Sequence, residues 1–207
     1  MSTQRLGEAI ERLREAYGRS GAKQFDAVPR RFRTLLDVVA GTAKFNSDEM
    51  SSVALDRPDE LVELPVEALR EALKGTGRDA RRAGALQGLA GWWPGDEPAD
   101  EWCEDHQQRR AELTAVRGVG HELADWILLL VLELPTMPLS RSAMRVGCRH
   151  GWSGLESEYD EWQYLFRQAA ELADTPLEET DRLIKQVGQS HCGTQPNCHG
   201  CPLESLL

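Results

Sequence analysis

The chain has 207 residues, 41% of them hydrophobic, and a formal net charge of −10. This composition excludes an intrinsically disordered chain, and the charge excludes a protein that coats nucleic acid nonspecifically. Local basic patches that face phosphate remain compatible with both numbers.

In chain order, Leu6, Ile10, Leu13, Ala16 and Tyr17 recur at helical spacing and predict an amphipathic helix ending near Gly18. Phe32, Leu35, Leu36, Val38 and Val39 predict a more buried helix that stops near Gly41. Ser47 and Asp48 are caps for a next helix, and Pro58 and Pro65 each open a helix at its first turn. A helix over Arg81 to Leu89 ends at Gly91-Trp92-Trp93, where the tryptophans read as a core or interlobe plug. Residues 96–105 hold six carboxylates in ten positions and read as an acidic surface loop, a place for a protein partner. Two helices flank Gly118-Val119-Gly120, the second running from about His121 to Leu132. Further helices are predicted over Ser142–Arg149, Tyr159–Ala173 and Pro176–Ser190, with Gly151 and His150 closing the first of them.

Strand alternation and internal repeats are both missing, so the fold class is all-α. The longest apolar run, Trp126 to Leu134, is far short of the roughly 20 residues that span a bilayer. Met1 to Arg5 does not open a signal peptide, and the expectation is a cytoplasmic protein without a membrane partner.

Residues 113–132 carry the strongest signal. Two glycines around one apolar residue permit a tight turn, and the amides opening the second helix can hold a phosphate oxygen. Gly-Val-Gly alone is also an ordinary turn between helices. Here it is followed by Pro138-Leu139-Ser140-Arg141, by a helix with Arg145-Val146, and by a terminal group of three cysteines. Upstream lies Gly77-x4-Arg82-Ala83. In this order the segments resemble the endonuclease III family of helix-hairpin-helix DNA glycosylases over about residues 6–203.

The resemblance implies two helical lobes. One is a six-helix barrel over 33–139; the other joins 1–32 to 140–207 and ends in a cysteine loop at 190–202. It implies double-stranded DNA as partner, a monomer, and a base flipped into a pocket between the lobes. Gly118, Val119 and Gly120 would hold phosphate, and Lys44, Arg78, Arg82 and Arg141 are candidate backbone contacts. The family's lyase lysine corresponds to Glu122, which cannot form a Schiff base. Its aspartate, which opposes the oxocarbenium-like transition state, corresponds to Ser140, an uncharged helix-capping residue. Asp125, three residues after Glu122, shares a helix face with it and could supply a second carboxylate or simply complement the helix terminus. Two readings follow: a monofunctional or weak DNA N-glycosylase, and an inactive DNA-structure-binding protein that keeps the fold.

Cys192, Cys198 and Cys201 resemble the family's loop for a [4Fe-4S] cluster, whose fourth cysteine position is Leu207. Three thiolates with an outside ligand, a zinc site completed by His191 or His199, and a loop that binds no metal all stay open. Cys103 and Cys148 read as free thiols in the interior.

Overall fold

The computed structural model describes residues 2–18, 32–40, 57–74, 79–93, 95 and 106–206. Ser47, Asp48, Gly77, Cys103 and the acidic stretch 96–105 lie outside them. Among the described residues the regular elements are helices, with one isolated bridge between Cys192 and Pro196. None of these helices is long and apolar enough to cross a membrane. The chain divides into two compact units, 28–134 and 1–27 with 135–207.

The first unit contains α2 (Phe32–Ala40), α3 (Pro58–Glu63), α4 (Val66–Ala72), α5 (Asp79–Trp92), α6 (His106–Ala115) and α7 (His121–Leu130). Pro58 sits in the first turn of α3, where its missing N–H is harmless, and Pro65 is the residue that enters α4. Leu35, Leu36 and Val39 give α2 an apolar face, buried with Leu61, Leu69, Leu86 and Leu113. α5 is the helix on which α2, α3 and α4 pack. It does so with small residues: Ala83, Ala85 and Ala90 are buried beside Leu86 and Leu89. Trp92 and Trp93 pack against the same core, Trp93 edge-on to Phe32 at 5.5 Å. α7 stops two residues earlier than its apolar pattern suggests. Leu132 N–H reaches the Ile127 carbonyl and Leu134 N–H the Leu128 carbonyl, and Glu133 between them takes φ 56°.

The second unit contains α1 (Ser2–Tyr17), α8 (Arg141–Arg149), α9 (Tyr159–Leu172), α10 (Leu177–Ser190) and a short 3-10 turn, Glu204–Leu206. Leu6, Ala9, Ile10 and Leu13 are the buried stripe of α1, which packs on α9 and α10, while α8 packs on α10. Trp162 and Phe166 of α9 are buried almost completely, and each such side chain stabilises by about 1.5–3 kcal/mol. Close approach makes two glycines necessary. A Cβ at Gly147 would lie 2.3 Å from the Trp162 ring, and one at Gly188 2.8 Å from Ser142 Cβ. α8 therefore meets α9 through its own backbone at Gly147, and α10 meets α8 through its backbone at Gly188.

Candidate functional site

The helix pair α6–α7 is joined by residues 116–120. Val116 N–H donates to the Leu113 carbonyl at 3.1 Å and Val119 N–H to the Val116 carbonyl at 3.0 Å, which tightens the turn. Val119 itself is buried in the core. The two glycines are unequal. Gly118 has φ +94°, and a Cβ there would lie 2.9 Å from the Arg81 carbonyl oxygen and 3.3 Å from Ala85 Cβ, so conformation and space both demand glycine. Gly120 is extended, φ −110° and ψ 173°, and a Cβ would make only ordinary contact with Arg81 Nη2 at 3.5 Å. Its place is at the N-cap of α7, where no side chain caps the first-turn amides. That end of α7 favours an anion.

The turn is seated on α5. Val116 lies against Gly88, where a Cβ would come within 2.6 Å of Val116 Cγ1, and Arg81 Nε donates to the Gly118 carbonyl at 3.0 Å. Arg81 is exposed, so its cation stands beside the turn. Sequence reading selected its neighbours instead. Arg78, like Lys44, lies outside the described residues, and Arg82 is half-buried with a contact of its own. The signal in the sequence is spacing: Arg81, Ala85 and Gly88 fall at i, i+4 and i+7, which puts the Arg81 cation on the same face as two small residues beneath the turn.

Glu122 is half-buried in the first turn of α7. Asp125 goes elsewhere. It is fully buried, and Arg110 of α6, itself 7% exposed, donates from Nε to Asp125 Oδ1 at 2.8 Å. The carboxylate that shares a sequence face with Glu122 thus clamps α6 to α7. Sequence spacing along α7 could not reveal Arg110, which arrives from fifteen residues upstream.

In the second unit, Ser140 is 5% exposed and caps α8. Its Oγ accepts from Ala143 N at 3.1 Å and shares a hydrogen bond with Ser142 Oγ at 3.0 Å. Tyr159 and Gln163 of α9 hold the approach to it. The Leu139 N–H donates to Tyr159 Oη at 3.3 Å, and Gln163 Nε2 donates to the Met137 carbonyl at 3.2 Å. Arg141, the first residue of α8, is exposed. His150 is the C-cap at the other end, and burial pushes its imidazole below the usual value, with the Leu206 backbone opposing.

The cysteine loop follows α10. Cys192 is buried, Cys198, Cys201 and His191 are half-buried, and His199 is exposed. Cys192 belongs to the apolar core with Leu203, and Cys148 and Cys201 pack against it. Burial pushes the Cys201 thiol up; the Leu203 N–H opposes this, and Cys198, Cys192 and Glu204 add to it. The His191 Nδ1 lies 3.2 Å from the Asn197 carbonyl, so that nitrogen is occupied as a donor. Among the described residues no three of His, Cys, Asp and Glu converge as a metal site. The fourth cysteine position is Leu207, which offers no donor. These residues do not fit a four-thiolate iron–sulfur cluster.

No family model matches the chain. Among curated proteins it is 30% identical over 97 residues to a Methanocaldococcus jannaschii protein assigned as a DNA repair glycosylase, covering 47% of this chain and 44% of that one. It is 25% identical over 155 residues to endonuclease III of Bacillus subtilis, covering 72% of this chain and 66% of the relative. The matched stretch therefore spans less than two thirds of either relative. Among solved structures, a non-covalent endonuclease III–DNA complex matches all of this chain and 95% of its own, with a TM-score of 0.66 at 19% identity. A 3-methyladenine DNA glycosylase from H. pylori, MagIII, solved bound to 1,N6-ethenoadenine, covers 89% of this chain and 97% of its own with a TM-score of 0.65 at 18% identity. The chain has the all-α helix-hairpin-helix glycosylase fold of endonuclease III.

Proposed function

We propose that this protein binds double-stranded DNA at damaged or abasic sites in base excision repair, with monofunctional or weak N-glycosylase activity at most. The single observation that carries this reading is the hairpin turn. Gly118 fits only as glycine, and Gly120 leaves the first turn of α7 without a side-chain cap, an arrangement suited to a backbone phosphate. The relatives, one named a DNA repair glycosylase and the other endonuclease III, agree with it. Arg81 and Arg141, both exposed, supply cations for flanking phosphates despite the net charge of −10.

The chemistry is assigned to Glu122. A carboxylate in the first turn of α7 can position water or oppose a developing cation on the sugar, but it cannot form the imine that a lyase needs. Asp125 neutralises Arg110 and positions α7. Ser140 caps α8 and brings no charge to the sugar.

That capping role also favours a second reading, an inactive protein that binds DNA structure alone. One assay separates the two. Duplexes bearing single lesions are incubated with the protein and then cleaved with alkali to reveal abasic sites. Product above a protein-free control, abolished by Glu122→Gln, supports the enzyme. Binding without product on any lesion supports the second reading. Borohydride should trap no covalent adduct in either case, and a trapped adduct would overturn the role given to Glu122.

A further inference from the structure

Gly84, Gly88 and Gly91 all lie inside α5, although glycine is among the poorest helix formers and brings no side chain to pack. Two of the three have room to spare. A Cβ at Gly84 would meet nothing within 4 Å, and one at Gly91 would come no closer than 3.9 Å to Val62 Cγ2. Gly88 differs. A Cβ there would lie 2.6 Å from Val116 Cγ1 and 3.9 Å from Val116 Cβ, so the missing side chain is a hollow that the valine fills.

Val116 is a stiff plug for that hollow, because a β-branched side chain has few χ1 wells to choose from. It packs against the same core as Leu113 and Val119. Its backbone is also the base of the turn: Val116 N–H donates to the Leu113 carbonyl at 3.1 Å, and the Val116 carbonyl accepts from Val119 N–H at 3.0 Å. The height of Val116 above α5 is thereby passed on to Gly118, Val119 and Gly120. Nearer the start of α5, Arg81 and Ala85 fix the other edge. The Gly118 carbonyl accepts from Arg81 Nε at 3.0 Å, and a Cβ at Gly118 would stand 3.3 Å from Ala85 Cβ.

We propose that Gly88 is a positioning residue: the hollow it leaves in α5 sets the placement of the Gly118–Gly120 backbone, and with it the affinity of the turn for a DNA phosphate. Gly88 acts through Val116 and brings no donor or charge of its own. This role rests on the reading of the turn as a DNA-backbone site.

The test uses the full chain and a duplex containing a tetrahydrofuran abasic-site analogue. Affinity is read by fluorescence anisotropy, placement of the turn by the amide NMR shifts of residues 116–121, and stability by denaturant unfolding. Gly88→Ala should weaken binding about tenfold and shift those amides, because a methyl added to a filled contact displaces its neighbour. Gly84→Ala adds the same methyl to the same helix in open space; it should leave affinity within about twofold and raise the unfolding midpoint. Gly88→Ala combined with Val116→Ala makes room for the new methyl and should recover affinity to within about threefold of the parent, a coupling that general destabilisation would not produce. Val116→Ile enlarges the same contact from the side of the turn; it should weaken binding about threefold and carries the test if Gly88→Ala does not fold. Parental affinity and amide shifts in Gly88→Ala (or in Val116→Ile where it stands in), or no recovery in the double variant, would overturn the role of Gly88. Failure of the parent protein to bind the duplex would instead overturn the DNA-binding reading, while the amide shifts still support or refute the placement.

Discussion

The hairpin turn and the cysteine loop solve the same problem, holding an irregular segment against a helix, in opposite ways. The turn at 116–120 is seated by close contact of backbone: Gly118 against the Arg81 carbonyl, Val116 against Gly88. The loop at 191–203 is held at arm's length by the long side chains of Arg145 and Arg149. Close contact tolerates almost no added atom, whereas a side-chain clamp tolerates change in the loop but depends on two residues elsewhere. The turn is therefore sensitive at its own positions, and the loop is sensitive at α8.

Substitutions can break this contrast in graded steps. The largest effect is expected behind the turn, at the ion pair that joins its helices. Asp125→Ala leaves the buried Arg110 charge without its partner and should lower stability by about 3–5 kcal/mol, read from denaturant unfolding. Replacing both members by Arg110→Met with Asp125→Leu should recover most of that loss, since the cost comes from the stranded charge. Gly118→Val combines a positive φ with a clash against backbone and should cost about 3 kcal/mol, with DNA affinity falling in parallel. Gly120→Ala, by contrast, should cost only about 0.5–1 kcal/mol, the penalty of alanine at an N-cap, because its backbone is extended and a Cβ meets no clash. Equal losses at the two glycines would refute the asymmetry.

On the loop side, Arg145→Met removes bonds to the Cys192 and Gly188 carbonyls and should cost about 2 kcal/mol, concentrated in exchange at the end of α10. The smallest effect is a pH dependence. Burial holds the folded His150 below its usual value of 6.5, whereas the unfolded chain takes up the proton at that value. The unfolded state then binds more protons as the pH falls below about 6.5, and stability declines towards acid. His150→Gln should flatten that part of the melting-temperature profile.

Sequence made different parts of these two regions visible. The turn was legible because its determinants are local: a residue forced to φ +94° must be glycine, and Gly-Val-Gly between apolar helices states that directly. Proline at the start of α3 and serine at the cap of α8 were legible for the same reason, since each acts within three or four residues. Asp125 was not, because its meaning depends on Arg110 across a turn that first has to form. Arg145 and Arg149 repeat along the same helix as Arg141, and nothing in that spacing separates the three. The partners of Arg145 and Arg149 lie 43–47 residues onward, and only the packing of α8 on α10 turns these two inward. Arg81 and Arg82 are adjacent, and an Arg-Arg pair alone gives no hint which member faces the turn.

Position 140 is one where the fold is indifferent to a charge. Serine and aspartate are about equally good at the N-cap, since either oxygen satisfies the same amide, here that of Ala143. Thermodynamic stability therefore exerts no selection between them, and only the chemistry at the sugar does. Drift could exchange the two freely once that chemistry ceased to matter. By the same token, Ser140→Asp should leave the cap of α8 intact while placing a carboxylate at that position.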